Sequence, residues 1–149
     1  MKKMYNCKSY EDIPDTDGVY QYEKEKSKYP AYHFRMSAYD MALFGMLYLR
    51  NGLWNGKQII PGDWIKKSTT AHSVADPELG LGYGYLWYVL PEDPVIGKSY
   101  LHTGAGIHML AIFPKLKLVL IHRVDTGKPY TFTQANLFEL WDLVFAARN

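Results

Sequence analysis

Two apolar runs set the strongest limit on how this chain can fold. Residues 107–113 read Ile-His-Met-Leu-Ala-Ile-Phe and residues 118–122 read Leu-Val-Leu-Ile-His, with only Pro114-Lys115-Leu116-Lys117 between them. A connection that short joins two strands as an antiparallel hairpin. Alternation then places Ile107, Met109, Ala111 and Phe113 on one face, and Leu110 and Ile112 on the other. Neither face is polar, so the sheet holding this hairpin must be covered on both sides. The composition allows it: 149 residues with 48% hydrophobic and 21% charged side chains is a globular chain, long enough for one core.

Two segments can supply the covers. Residues 131–147 predict a helix capped by Thr131 or Thr133, with Phe132, Leu137, Phe138, Leu140, Trp141, Val144 and Phe145 on a broad apolar face. Ser37-Ala38-Tyr39-Asp40 predicts a second helix start, since the hydroxyl and the acid three residues on can satisfy first-turn amides. Met41, Phe44 or Gly45, Tyr48 and Leu49 recur at helical spacing, widened by Leu43, Met46 and Leu47, and Asn51-Gly52 stops the helix. The second cover is this helix or something outside the sequence.

Between these lie smaller elements. Leu53-Trp54 and Lys57-Gln58 flank Asn55-Gly56, a strong hairpin-turn signal. Pro61 opens a short helix, with Asp63 in its first turn and Trp64 and Ile65 facing inward, which runs out near Ser68-Thr69-Thr70. Residues 71–81 read as loop, residues 82–90 as one aromatic strand closed by Pro91-Glu92-Asp93-Pro94, and residues 100–103 as another strand. Residues 1–36 form an irregular lead-in, with a turn at Asp15-Thr16-Asp17-Gly18 and a solvated charged loop at residues 23–28.

Several functional classes are disfavoured. Net charge is only +2 and the basic residues are scattered, so no nucleic-acid surface is expected. No run of about 18 apolar residues exists, so no membrane-spanning helix is expected. The single cysteine, Cys7, excludes an internal disulfide framework and a Cys-based zinc site, and is expected to be inert. Met1-Lys2-Lys3 is basic, but Tyr5-Asn6-Cys7-Lys8 follows where a signal peptide would be apolar, so the compartment is unspecified.

The polar interruption is Tyr100-Leu101-His102-Thr103-Gly104-Ala105-Gly106. One reading is a strand ending in a Gly-rich turn; the other is the wall of a site, with glycines admitting close backbone approach. Tyr83, Tyr85, Trp87 and Tyr88 read mostly as packing, with the Tyr85 and Trp87 side able to line a cleft. His102 and His108 offer two imidazoles without an apparent third ligand, so no metal site is expected. His122-Arg123-Val124-Asp125-Thr126 reads as a polar strand end with a local Arg-Asp pair, or alternatively as a rim contact to an anionic substrate.

Two ordered blocks carry a resemblance. The first is Met36-Ser37-Ala38-Tyr39-Asp40-Met41-Ala42-Leu43-Phe44-Gly45, continued by Leu47-Tyr48-Leu49-Arg50-Asn51-Gly52-Leu53-Trp54-Asn55-Gly56-Lys57-Gln58-Ile59-Ile60-Pro61. The second is Gly82-Tyr83-Gly84-Tyr85-Leu86-Trp87, then His102-Thr103-Gly104 and the hairpin through Ile121. Together they resemble the C-terminal part of the serine β-lactamase and penicillin-binding-protein superfamily, in the branch of class C-like β-lactamases, D-alanyl-D-alanine carboxypeptidases and related esterases.

The resemblance, over roughly residues 30–145, implies an α/β (α+β) domain with an antiparallel sheet flanked by helices. Residues 37–149 would be the C-terminal part of such a domain, and the whole chain a single partial one. It also implies a three-motif site, Ser-x-x-Lys, Tyr-x-Asn and Lys-Thr-Gly or His-Thr-Gly. Only the third is found: no serine here is followed by Lys three residues on, and no Tyr-x-Asn occurs. By that resemblance His102 would aid proton traffic, Thr103 and Gly104 would contact substrate, and the Ala105 amide would supply half of an oxyanion hole. Tyr85 and Trp87 would line the cleft. The implied parent reaction is acyl-enzyme hydrolysis of a β-lactam, D-Ala peptide or ester, with no cofactor. The chain alone is expected to be inactive, or alternatively to be a binding module that keeps the pocket wall. It is also expected to expose an apolar sheet face and self-associate.

Overall fold

The computed structural model describes residues 18–21 and 31–148, with side chains described for 34–104 and 106–148. Cys7, most of the Asp15-to-Gly18 turn and the charged loop at 23–28 lie outside the described residues. The chain divides into two compact units, Met1–Asp40 and Met41–Asn149. In the first, β1 (Gly18–Gln21) pairs antiparallel with β2 (Ala31–Phe34), so the lead-in carries regular structure.

Helix α1 (Ala38–Leu49) starts as its sequence predicts. Ser37 Oγ accepts from the Asp40 amide at 3.1 Å, and the Asp40 carboxylate accepts from the Ser37 hydroxyl at 2.7 Å and the Ser37 amide at 3.3 Å. Those hydrogen bonds, the hydroxyl's first, hold the Asp40 carboxyl below its ordinary value. The helix ends where Asn51 and Gly52 take positive φ. Next comes the hairpin of β3 (Leu53–Trp54) and β4 (Lys57–Gln58), whose Asn55 and Gly56 both have positive φ, as a primed turn requires.

Helix α2 (Gly62–Ser68) buries Ile65, but Trp64 is 45% exposed and does not face inward. Seven residues make fewer than two turns, and adjacent positions diverge by about 100°, so only one can point at the core.

The remainder is dominated by a six-stranded antiparallel meander, ordered β10-β9-β8-β7-β6-β5. Its strands are β5 (Ser73–Asp76), β6 (Leu81–Tyr83), β7 (Tyr88–Val89), β8 (Tyr100–Gly104), β9 (His108–Phe113) and β10 (Leu118–His122). Two sequence expectations change here. Part of the 71–81 loop is strand β5, and the single aromatic strand is a hairpin. The Gly84 amide donates to the Trp87 carbonyl at 2.8 Å, and Leu86 adopts φ 65° to close the turn.

Both faces of the central hairpin are buried as the alternation requires. Leu110 and Ile112 join Tyr48, Ile65, Trp87 and Tyr100, with Met41 and Phe44 of α1 packed against them. Met109, Ala111 and Phe113 join Leu101, with Leu137 and Trp141 of α3 (Gln134–Ala146). Helix α1 comes close because it carries Gly45: a Cβ there would lie 2.5 Å from Val119 Cγ1 and 2.8 Å from Leu110 Cδ1. Helix α3 is capped by Thr133, whose hydroxyl accepts from the Asn136 amide while the Asn136 side chain accepts from the Thr133 amide. The expected bare sheet face is therefore covered, by α1 on one side and α3 on the other. Large exposed apolar side chains lie on helix, turn and edge-strand surfaces, among them Trp64, Leu86, Phe138, Leu143 and Val74 of β5.

Candidate active-site wall

Strand β8 begins in the core and ends in solvent. Tyr100 and Leu101 are buried, whereas His102, Thr103 and Gly104 are exposed. The cause is a mismatch in strand length. On one side β9 pairs with all five residues, from Tyr100 opposite Ile112 to Gly104 opposite His108. On the other, β7 pairs only with Tyr100 and Leu101. The tight turn at 84–87 replaces β7 beyond that point, so the backbone edge of residues 102–104 has no strand beside it among the described residues. The sequence favours this because Gly84 lets the chain pass close to Ser68: a Cβ at Gly84 would lie 2.2 Å from the Ser68 carbonyl oxygen.

His102 is exposed by area, yet one flank is desolvated. The edge of Trp87 meets its ring at 6.5 Å between centroids and 86° between planes. Trp87 itself is 4% exposed and stacks into a cluster with Phe44, Tyr48 and Tyr100. Burial lowers the His102 imidazole below the ordinary histidine value, favouring the neutral ring. Deeper in the same cluster, burial, with a smaller contribution from Tyr48, raises the Tyr100 phenol far above its usual range, so Tyr100 stays protonated.

The structure brings His102, Thr103 and Gly104 together on one open edge, with the Ala105 backbone immediately beyond, at the start of a short 3-10 turn over Ala105–Ile107. Trp87, expected to line the cleft, is instead a buried core side chain that meets the His102 ring edge to face. Tyr85 is 41% exposed and packs with His72 at 4.7 Å and Trp64 at 5.5 Å, with the Lys67 ammonium 5.8 Å from its ring. These side chains form an aromatic rim that the sequence left unassembled, because His72 and Trp64 come from segments read as loop and core. Asp125 pairs with Lys128 at 3.3 Å. No group of three metal-ligating side chains converges among the described residues.

Two histidines that the sequence left without a positioning role border the wall. His108 Nε2 lies 2.8 Å from the Val124 carbonyl oxygen, and His122 Nδ1 lies 2.9 Å from the Ile107 carbonyl oxygen. The available signal was that His122 ends β10 on the side of the sheet where β8 ends.

A solved structure described as "Putative 6-aminohexanoate-dimer hydrolase from Bacillus anthracis" is similar to this chain over 79% of its residues, with a TM-score of 0.57 and 25% identity. The chain spans 29% of the length of that protein. No protein-family model matches the chain, and no curated protein does. The likeness accords with the α+β class, an antiparallel sheet with helices on both faces, and with a hydrolase-like fold. No helix among the described residues is long and apolar enough to cross a membrane.

Proposed function

We propose that residues 102–105 form the strand wall of an acyl-transfer site of the serine β-lactamase and penicillin-binding-protein type. The observation that carries this reading is the open edge of His102-Thr103-Gly104, created where β8 outruns β7. A substrate amide can lie along such an edge as an extended segment, hydrogen-bonding to backbone on one side. The Thr103 hydroxyl can donate to a carbonyl or carboxylate of the substrate. The Ala105 amide is half of the donor pair that stabilises the oxyanion of a tetrahedral intermediate. His102, whose burial favours the neutral ring, can accept a proton and return it to a leaving amine. The fold's likeness to a protein described as a 6-aminohexanoate-dimer hydrolase, whose named substrate is a linear amide, favours a linear amide or small ester as the acyl substrate.

No serine in this sequence has the Lys partner that this chemistry uses, so the nucleophile comes from polypeptide outside these 149 residues. The wall alone binds without turnover, since nucleophile, base and oxyanion donors act as a unit. This same absence favours a second reading, in which the chain is a non-catalytic module that keeps the pocket wall.

The test uses two probes. The linear dimer of 6-aminohexanoate, titrated into isotope-labelled protein, should shift the resonances of His102, Thr103 and Ala105. Shifts spread elsewhere, with these three unmoved, would sink the proposed site. A fluorescent penicillin should leave no covalent label. A labelled serine would overturn the claim that the nucleophile lies elsewhere. In a complete enzyme containing this segment, His102→Ala should cut turnover by about 10²-fold or more, as expected for loss of a general acid or base.

A further inference from the structure

The turn that follows the wall is strained, and it is held from outside. Gly106 has φ 74°, and Ile107, a β-branched residue, has φ 57°. Left-handed backbone at such a residue persists only where the surroundings over-determine it. Here the surroundings are the exit of β10. Val124 and Thr126 pack directly on Gly106: an added Cβ would lie 2.3 Å from Thr126 Cγ2 and 3.0 Å from Val124 Cγ2.

Two histidines tie the segments together reciprocally. His122, at the end of β10, donates from Nδ1–H to the carbonyl of Ile107. His108, at the start of β9, donates from Nε2–H to the carbonyl of Val124. Each carbonyl can only accept, so these bonds fix the proton on Nδ1 of His122 and on Nε2 of His108. The His122 ring is in turn stacked on Phe132 at 4.2 Å and 23°, which fixes its plane.

We propose that His108 and His122 are positioning residues that clamp the Gly106-Ile107 turn, and so hold the Ala105 amide at a set place beside His102. The claim that this amide serves an oxyanion rests on the proposed function; the clamp itself does not. Neither imidazole needs to touch substrate. The strained turn is the element that fixes where residue 105 sits, and the two hydrogen bonds keep Ile107 from relaxing into an ordinary extended conformation.

Side-chain geometry supplies a discriminating test. Asn places an amide donor where His Nδ1 lies, and Gln places one where Nε2 lies. In labelled protein, His122→Leu should move the backbone carbon shifts of Ile107 away from left-handed values, while those of Met109 to Phe113 stay in place. His122→Asn should restore them. Binding of the 6-aminohexanoate dimer should weaken about tenfold in His122→Leu and recover in His122→Asn, as for one well-made hydrogen bond to the substrate oxygen. Left-handed Ile107 shifts persisting in folded His122→Leu would overturn the clamp, as would failure of Asn to restore them. Should His122→Leu fail to fold, His108→Ala against His108→Gln asks the same question through Val124. A clamp that behaves as expected in protein that binds no dimer would refute the proposed function and leave the clamp standing.

Discussion

The two halves of the six-stranded sheet are built by different rules. Strands β8, β9 and β10 pair over five residues each in unbroken register, and every side chain from Met109 to Phe113 is buried. Strands β5, β6 and β7 pair over two or three residues, and a register shift interrupts β5 between Val74 and Asp76. The outer strands show the same contrast. Strand β5 exposes Ser73, Val74 and Ala75 and stops at Pro77, devices that blunt an edge. Strand β10 is Leu-Val-Leu-Ile-His, without charge, bulge or proline, and each side chain is partly buried. Long, unbroken pairing is concentrated in the half that holds the proposed wall. The proposed wall residues, His108 and His122 belong to the long-register half, whereas the aromatic rim of Trp64, His72 and Tyr85 comes from α2 and from segments that flank the short strands.

By this contrast, substitutions should divide by half. The largest effect is expected at Phe113, fully buried and edge-on to Trp141 and Phe145. Phe113→Ala should cost about 3–5 kcal/mol in denaturant unfolding, through lost burial and the cavity left behind. A loss under about 1 kcal/mol would mean that α3 does not pack on this face.

Next is the contact of α1 with the outer pair. Gly45→Ala should gain helix propensity yet lose about 1–3 kcal/mol through collision with Val119 and Leu110. Adding Val119→Ala should recover part of that loss. Absence of any coupling in the double-mutant cycle would place α1 elsewhere.

At the start of α3, Thr133→Ala should cost about 1 kcal/mol, the usual worth of a cap, with Thr133→Asn close to neutral. On the other side of the comparison, Val74→Thr, at a side chain 70% exposed on β5, should stay within about 0.5 kcal/mol. A large loss there would break the contrast outright.

The smallest effect concerns pH. The folded value of His102 lies below its unfolded one, so the unfolded chain binds the proton more readily. Its contribution to stability is therefore complete above the ordinary histidine value of 6.5 and is lost as pH falls through the lower, folded value. An NMR titration should give a His102 midpoint below 6.5, and Trp87→Leu should raise it. A midpoint at or above 6.5 would remove the aromatic flank as a cause.

Sequence reasoning succeeded where periodicity and local chemistry are strong. The faces of β9, the Ser37 and Thr133 starts, the Asn51-Gly52 stop and the Asn55-Gly56 turn all follow from short-range rules. It failed where a partner decides. Ser73-Val74-Ala75-Asp76 lacks alternation and becomes a strand only because β6 lies beside it. Leu86 and Ile107 take positive φ although neither is a glycine or asparagine. Trp87 and His102 are 15 positions apart, so their contact, and the lowered basicity of His102, had no local signature.

The sequence by itself therefore determined that a doubly covered antiparallel hairpin would form, which segments would be helical, and that His102-Thr103-Gly104 would interrupt an apolar strand. Burial and hydrogen bonding within a few residues suffice for those outcomes. Tertiary structure alone decided that β8 would outrun β7 and leave an open edge. It also decided that two histidines from neighbouring strands would hydrogen-bond to the carbonyls of Ile107 and Val124 beyond that edge. Both depend on where independently formed strands end relative to one another, and that is set by pairing across the sheet.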